Sequence, residues 1–140
     1  MRKISRKLAD KIRQQAKNRC GYCLLPQNLN PTLLEIEHIQ PTAKNGTDEE
    51  ENLWLACREC NSHKSVKTHG FDEKTRRRVK LFNPRKQKWR NHFEFSEAAT
   101  EIIGKTVCGR ATVEALKINN EILFSVRKLW VEFDLFPPKD

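Results

Sequence analysis

Cys20-Gly-Tyr-Cys23 and Cys57-Arg-Glu-Cys60 bring four cysteines into two closely spaced pairs, with 33 residues between Cys23 and Cys57. Two such turns can present four thiolates to one tetrahedral ion, and zinc prefers sulfur ligands at about 2.3 Å. A pair of disulfides and a redox-active C-x2-C motif are the alternatives, but no thioredoxin-like βαβ pattern surrounds either motif. The spacing therefore favours a structural zinc bound by all four cysteines. Cys108 lies far from both pairs and is predicted to be a small core residue.

The residues between and after the two cysteine pairs predict two strands followed by a helix. Residues 33–39 and 53–56 are apolar enough for strands, and the polar residues 41–51, with Asn45-Gly46, predict a loop between them. Residues 58–68 predict a helix that stops at Gly70. We expect this strand–loop–strand–helix unit to be enclosed by the zinc site.

The flanking segments predict an amphipathic N-terminal helix and a mixed C-terminal extension. Apolar residues recur every four positions from Ile4 to Ala16, which indicates a helix over residues 5–18 with a basic outer face. A basic stretch covers residues 74–90, and residues 93–95 and 101–103 predict a hairpin. Helices are predicted over 109–118 and 121–133, the latter with Ile122, Val126, Leu129, Trp130 and Phe133 on one face. We predict one unit at residues 1–70 and a smaller extension at 71–140.

Charge is distributed unevenly along the 140 residues, whose formal net charge is +9. Residues 1–19 carry +7 and residues 64–90 carry +9, whereas residues 20–63 carry −5 and residues 91–140 carry −2. Basic segments suit a polyanion such as nucleic acid, although a solvated basic surface is the alternative. The sequence has neither a long apolar segment for the membrane nor the apolar part of a secretory signal. We therefore expect a cytoplasmic protein with reduced cysteines.

One combination of motifs is far more specific than any of its parts. Glu37-His38 ends the first predicted strand, Asn52 opens the second, and Cys57-x2-Cys60-Asn61-x2-Lys64 begins the helix. Together with the cysteine pairs, this string resembles the HNH endonuclease family over about residues 16–66. The resemblance implies an α+β fold: a ββα-metal core with a four-cysteine structural zinc, preceded by the basic helix and followed by a mixed α/β extension.

The resemblance also implies roles for individual residues. His38 would be the general base that takes a proton from the attacking water, and Asn52 would orient its ring. Glu37 and Asn61 would hold a catalytic divalent ion, and this pair of oxygen ligands favours Mg²⁺ or Mn²⁺. On a strictly alternating strand, Glu37 and His38 would point to opposite faces and could not serve one site. Glu35 would share the face of Glu37 and is therefore the reserve ligand.

The resulting hypothesis is a divalent-metal-dependent endonuclease that hydrolyses DNA phosphodiester bonds, by nicking or double-strand cleavage, with weak sequence preference. Lys64 is a candidate phosphate contact, and Arg76, Arg77 and Arg78 are candidates in the basic stretch. The main alternative is a non-catalytic, zinc-stabilised nucleic-acid-binding module, and a weaker one is a zinc-centred protein-interaction domain. We expect no membrane and no small-molecule cofactor, and the sequence leaves the oligomeric state open.

Overall fold

A computed structural model describes residues 4–139, which contain five α-helices and three two-stranded antiparallel sheets. This mixed α and β architecture, with its four clustered cysteines, confirms the predicted fold class. Residues 1–3 and Asp140, which the predicted ranges 1–70 and 71–140 include, lie outside the described residues. The division of the chain at residue 70 stays a prediction. Within residues 4–139, no helix is long and apolar enough to cross a membrane.

The first helix, α1, spans Arg6–Gln15 and is shorter than the predicted 5–18. Ser5 caps its beginning, because the Ser5 side chain accepts a hydrogen bond from the backbone N–H of Leu8. The helix ends early because Lys17 and Asn18 adopt the left-handed conformation, with φ of 56° and 53°. Ile12 is fully buried and anchors the apolar side of the helix to the core.

The central unit consists of strand β1 (Glu35–His38), strand β2 (Leu53–Ala56) and helix α2 (Arg58–Lys64). The strands pair in a regular antiparallel register from Glu35↔Ala56 to His38↔Leu53. The predicted strand–loop–strand–helix order is therefore confirmed. Helix α2 stops at Lys64 rather than at residue 68, because Ser65 has φ 49° and ψ −127°, which no α-helix accommodates.

A hairpin that the sequence did not predict follows α2. Its strands are β3 (His69–Asp72) and β4 (Arg77–Lys80). Asp72 organises the turn, because its carboxylate accepts hydrogen bonds from the backbone and the hydroxyl of Thr75. The same carboxylate accepts two bonds from Arg110, and these bonds hold the pKa of Asp72 well below its usual value. The hairpin is thus fixed to the helix that carries Arg110.

The rest of the extension matches the predicted elements closely. A short helix α3 (Trp89–His92) leads into the predicted hairpin, β5 (Phe93–Phe95) with β6 (Ile102–Gly104). Helices α4 (Val107–Ala115) and α5 (Glu121–Glu132) follow. The predicted apolar face of α5 is only partly buried: Trp130 packs on the core, but Ile122, Leu129 and Phe133 are exposed. Arg127 is buried instead, and it donates hydrogen bonds to the carbonyls of Ile118 and Thr100.

Aromatic packing joins the extension to the central unit. The indole N–H of Trp89 donates to the backbone carbonyl of Tyr22 at 2.8 Å, and the ring of Phe82 lies 6.4 Å from that of Tyr22. Arg85 donates to the carbonyl of Leu53 and lies over the ring of Trp54. The extension therefore packs directly on the turn that holds Cys20 and Cys23 and on strand β2.

Candidate active site

The four paired cysteines converge on one buried point. The Sγ atoms of Cys20, Cys23, Cys57 and Cys60 all lie within 4.8 Å of one another. Cys23 and Cys57 are separated by 3.7 Å between sulfurs, and tetrahedral Zn–S bonds of about 2.3 Å place sulfurs about 3.8 Å apart. The cluster is compatible with zinc. Cys108 is half-buried and outside the cluster.

The chemistry of these thiols also suits a metal. Burial opposes ionisation of Cys20, but hydrogen bonds from the other three cysteines outweigh it and hold the pKa of Cys20 well below its usual value. The hydrogen bonds that Cys57 and Cys60 make with Cys20 in turn raise the pKa of each, so in the metal-free cluster Cys20 is the thiol that ionises most readily. A thiolate is the form of cysteine that binds zinc. Cys57 also begins α2, since its sulfur accepts a hydrogen bond from the backbone N–H of Cys60. Metal binding and helix initiation therefore depend on the same residue.

Glu37 lies in a buried network on the α2 side of the hairpin. Its two carboxylate oxygens accept hydrogen bonds from the hydroxyl of Tyr22 at 3.0 and 2.9 Å, and Nζ of Lys64 lies 2.8 Å from Oε1. Lys64 also donates to the carbonyls of His38 and Ile39. Burial raises the pKa of Glu37, and Lys64 and Tyr22 oppose that shift. The network ties the cysteine turn, β1 and α2 together.

This network changes the role expected of Lys64. Its side chain is only 3% exposed, and its ammonium is enclosed by Glu37 and two carbonyls. A cation in that position has no free surface with which to contact a phosphate. The expectation that Lys64 binds nucleic acid stays a prediction that this position does not favour, because Lys64 points inward and neutralises a buried carboxylate.

The predicted ligands of a catalytic ion are not gathered in one place. The amide of Asn61 donates to Glu35 at 2.8 Å, whereas Glu37 is engaged by Tyr22 and Lys64. A lysine ammonium against Glu37 repels a divalent cation, and the carboxylate is only 1% exposed. Glu37 and Asn61 as arranged do not fit an Mg²⁺ or Mn²⁺ ion. The reserve residue Glu35 is the carboxylate that Asn61 contacts.

His38 lies on the opposite face of the hairpin from Glu37. Strand β1 has no bulge, because its register with β2 is regular to the last pair, His38↔Leu53. Neighbouring side chains on such a strand point to opposite faces. The side chains of β1 therefore alternate regularly, and this alternation separates the ring of His38 from the Glu37 network.

The imidazole of His38 is paired with a residue that sequence reasoning missed, Asp48. Nε2 of His38 and Oδ1 of Asp48 lie 2.7 Å apart, and their side chains are 26% and 24% exposed. This dyad is therefore preformed and still accessible to water. Asp48 lies within the acidic residues 48–51, which were interpreted only as a polar loop.

Loop geometry explains how Asp48 reaches His38. The loop reverses at Asn45, which has φ 69°, and at Gly46, where a Cβ would lie 1.7 Å from the carbonyl oxygen of Gln40. Asn52 fastens the loop through its side-chain amide. The amide oxygen accepts a hydrogen bond from the backbone N–H of Gln40, and the amide nitrogen donates to the carbonyls of Gln40 and Thr47. Its side chain thus holds the loop that carries Asp48. Asn45-Gly46 indicated a turn in the sequence, but it did not indicate that Asp48 would pair with His38.

The candidate arginines for nucleic acid lie on the β3–β4 hairpin. Arg76, Arg77 and Arg78 are all exposed. Arg76 adopts a left-handed turn conformation, pairs with Glu73 and lies 5.2 Å from the ring centre of Phe71. The three side chains form a basic edge within the extension, separate from the His38–Asp48 dyad in sequence and in secondary structure.

A comparison with protein families assigns the central unit. Residues 20–67 match the family model described as HNH endonuclease. No curated protein and no solved structure matches the chain. The matched residues include both cysteine pairs, β1, β2, α2 and the loop that carries Asp48. The segment 20–67 of this chain is therefore similar to HNH endonuclease domains, which are generally nucleases.

Proposed function

We propose that the chain is an endonuclease that hydrolyses DNA phosphodiester bonds with the help of Mg²⁺ or Mn²⁺ and with weak sequence preference. The observation that carries the proposal is the His38–Asp48 dyad, with 2.7 Å between Nε2 and Oδ1, in a segment that matches the HNH family. A partly exposed imidazole paired with a carboxylate is an arrangement suited to proton transfer.

In this proposal His38 is the general base. When Nε2–H donates to Asp48, the lone pair of the neutral ring is on Nδ1, so Nδ1 takes the proton from the attacking water. The carboxylate of Asp48 fixes the tautomer and stabilises the imidazolium that forms. Asn52 contributes indirectly, since it holds the loop through Gln40 and Thr47. Asp48 and Asn52 are thus positioning residues.

The proposed enzyme uses two metals, a structural zinc and a divalent ion that cleavage requires. Cys20, Cys23, Cys57 and Cys60 are proposed to hold one structural zinc, which suits a reducing compartment such as the cytoplasm. For the divalent ion, Asn61 and Glu35 are the candidate ligands by chemistry, because their oxygens are of the kind that Mg²⁺ and Mn²⁺ prefer. Glu37 is left out because Lys64 neutralises it. Strand alternation places Glu35 on the face of Glu37, opposite the ring of His38, so no chemical step is assigned to an ion at this position.

DNA is proposed as the partner because the molecule carries clustered, exposed basic side chains. Arg77 and Arg78 lie on β4 and point into solvent, where they can contact phosphates. Contacts of this kind give affinity without base readout, so we propose weak sequence preference.

One observation favours a second candidate function, a non-catalytic nucleic-acid-binding module. The ion pair of Glu37 with Lys64 removes a carboxylate that a catalytic ion would use. A chain with this arrangement could keep the zinc-stabilised fold and the basic surface without cleaving DNA.

Incubation of the zinc-loaded protein with supercoiled plasmid tests the proposal. Parallel reactions contain no added divalent ion, Mg²⁺ or Mn²⁺, and gel electrophoresis separates supercoiled, nicked and linear DNA. Cleavage that requires the added ion supports the enzyme, and a mobility shift without cleavage under every ion supports the binding module. Glu35→Gln and Asn61→Ala variants, each titrated with Mn²⁺, report whether these two residues set the ion concentration that cleavage needs.

A further inference from the structure

A cleft of about 640 Å³ lies between the central unit and the extension. One wall is the backbone that follows His38, residues Ile39 and Gln40, together with the end of α2. The other wall is the end of β4 and residues 81–87, with Cys108 of α4. Nothing in the His38–Asp48 dyad or the zinc cluster uses this space.

The rim of the cleft is basic. Lys67, Lys80 and Lys86 line it and are exposed, whereas Glu51 is the one carboxylate among its lining residues. Among the described residues, neither Lys80 nor Lys86 has a carboxylate partner. Lys64 also borders the cleft, but its charge is neutralised by Glu37. The cleft therefore presents a net positive charge.

The floor of the cleft is apolar. Ile39 and Val79 are half-buried there, above the buried side chains of Leu81 and Phe82. A ligand that fits must combine anionic groups for the rim with a weakly polar body for the floor. The volume lies within the range of about 300–1,000 Å³ that is usual for small-molecule sites. It has room for a nucleotide unit but not for both strands of a duplex.

We propose that this cleft binds one unpaired strand of nucleic acid, with phosphates at Lys67, Lys80 and Lys86 and a base against Ile39 and Val79. The inference rests on the proposed function in one respect, that nucleic acid is the substrate. The residues that line the cleft include Lys64 but neither His38 nor Asp48. The cleft is therefore a binding site for a single strand rather than for a base-paired one, apart from the ring of His38.

A thiol footprint tests occupancy. Cys108 lines the cleft, and burial raises its pKa, so alkylation is followed at mildly alkaline pH in zinc-loaded protein. The Cys108→Ser variant measures the background alkylation of the four zinc-site cysteines, which is subtracted. A short single-stranded oligonucleotide should slow alkylation of Cys108 in proportion to the fraction of protein bound. An unchanged rate at saturation, or equal protection by a duplex of the same length, overturns the proposal.

Charge variants test the rim. Lys80→Gln/Lys86→Gln should lower the slope of log affinity against log salt for single strands by about 1.4, since each lost phosphate contact contributes about 0.7. The matched control is Lys117→Gln/Lys128→Gln, two exposed lysines outside the cleft, and its slope should equal that of the wild type. Equal slopes for both variants overturn the proposal. All binding is measured without added divalent ion, so a failure to cleave DNA leaves these results interpretable.

Discussion

Nζ of Lys64 lies 2.8 Å from Oε1 of Glu37, and both side chains are almost completely buried. Lys64 is the last residue of α2 and Glu37 lies in β1, so the ion pair fastens the helix to the strand that carries His38. The same ammonium holds the carbonyl of His38 at 3.0 Å. A residue that was predicted from the sequence to contact phosphate therefore helps to hold the strand that carries the candidate base.

Lys64→Met should destabilise the protein by about 3–5 kcal/mol, because it leaves the buried carboxylate of Glu37 without its cation. Urea denaturation of zinc-loaded protein measures the loss. Lys67→Met is the control, since Lys67 is exposed at the same end of the helix. Glu37→Gln/Lys64→Met should recover part of the stability, because no charge is then buried unpaired. A Lys64→Met protein as stable as the Lys67→Met protein would contradict the arrangement.

The Lys64→Met variant should also depend on pH differently from the wild type. Burial already raises the pKa of Glu37 above its ordinary value of 4.5, and loss of the neighbouring cation removes an effect that lowers it. A carboxyl with a raised pKa in the folded state binds more protons there than in the unfolded chain, so stability increases as the pH falls through that raised pKa. The stability gap between variant and wild type should narrow from mildly alkaline to mildly acidic pH. Glu37→Gln/Lys64→Met lacks the carboxyl, so its stability gap to the wild type should not narrow as the pH falls.

The central unit was predictable because its signals are local. The cysteine spacing indicated the metal cluster, and β2 occupies the predicted residues 53–56. The β3–β4 hairpin was missed because its turn depends on the bonds of Asp72 to Thr75 and Arg110, and Arg110 lies 38 residues away. In α5 the buried side does not follow the predicted apolar face, because packing buries Arg127 and leaves Leu129 exposed.

The candidate site was predictable only in part, for a related reason. His38 and Asn61 could be singled out, but their partners, Asp48 and Glu35, come from contacts that no spacing specifies. Asp48 reaches His38 through a loop reversal at Asn45, and a charged residue in a polar loop gives no sign of its partner. The inward direction of the Lys64 side chain depends on a similar contact, its ion pair with the buried carboxylate of Glu37.

Zinc should be bound at one ion per chain, and Cys57→Ser should abolish both the zinc and the folded state. The free energy of binding a structural zinc, about 10–16 kcal/mol, is comparable to or larger than the net stability of a whole domain. Elemental analysis and circular dichroism measure the two effects. Cys108→Ser, outside the cluster, should keep its zinc. Purified protein without zinc and with four freely titratable thiols in its native state would rule out the site.

Removal of the basic edge should weaken DNA binding in a salt-dependent way. Arg76→Gln/Arg77→Gln/Arg78→Gln should reduce the slope of log affinity against log salt by up to about 2.7 for duplex DNA, about 0.9 for each lost phosphate contact. Fluorescence anisotropy over a salt series measures the slope. A control with the same change in charge is Lys117→Gln/Lys128→Gln/Lys139→Gln, which alters exposed lysines elsewhere. If the control lowers the slope as much, the hairpin edge has no special role.

His38→Ala should separate chemistry from architecture. His38 contacts neither the cysteine cluster nor the basic edge, so zinc content, melting temperature and DNA affinity should stay close to those of the wild type. Plasmid cleavage should nonetheless fall by about 10²–10⁴, the usual contribution of a positioned general base.

Asp48→Asn should lower cleavage less than His38→Ala does, because the imidazole remains but loses the carboxylate that fixes its tautomer. Nitrogen-15 chemical shifts of the His38 ring report that tautomer directly: Nε2 should be the protonated nitrogen in the wild type, and Asp48→Asn should change the distribution. Glu49→Gln removes a carboxylate from the next, exposed position of the same loop and should leave both the ring signals and cleavage unchanged. If Asp48→Asn behaves like Glu49→Gln, Asp48 does not position the base. If His38→Ala cleaves as fast as the wild type, His38 is not the base, whatever the family.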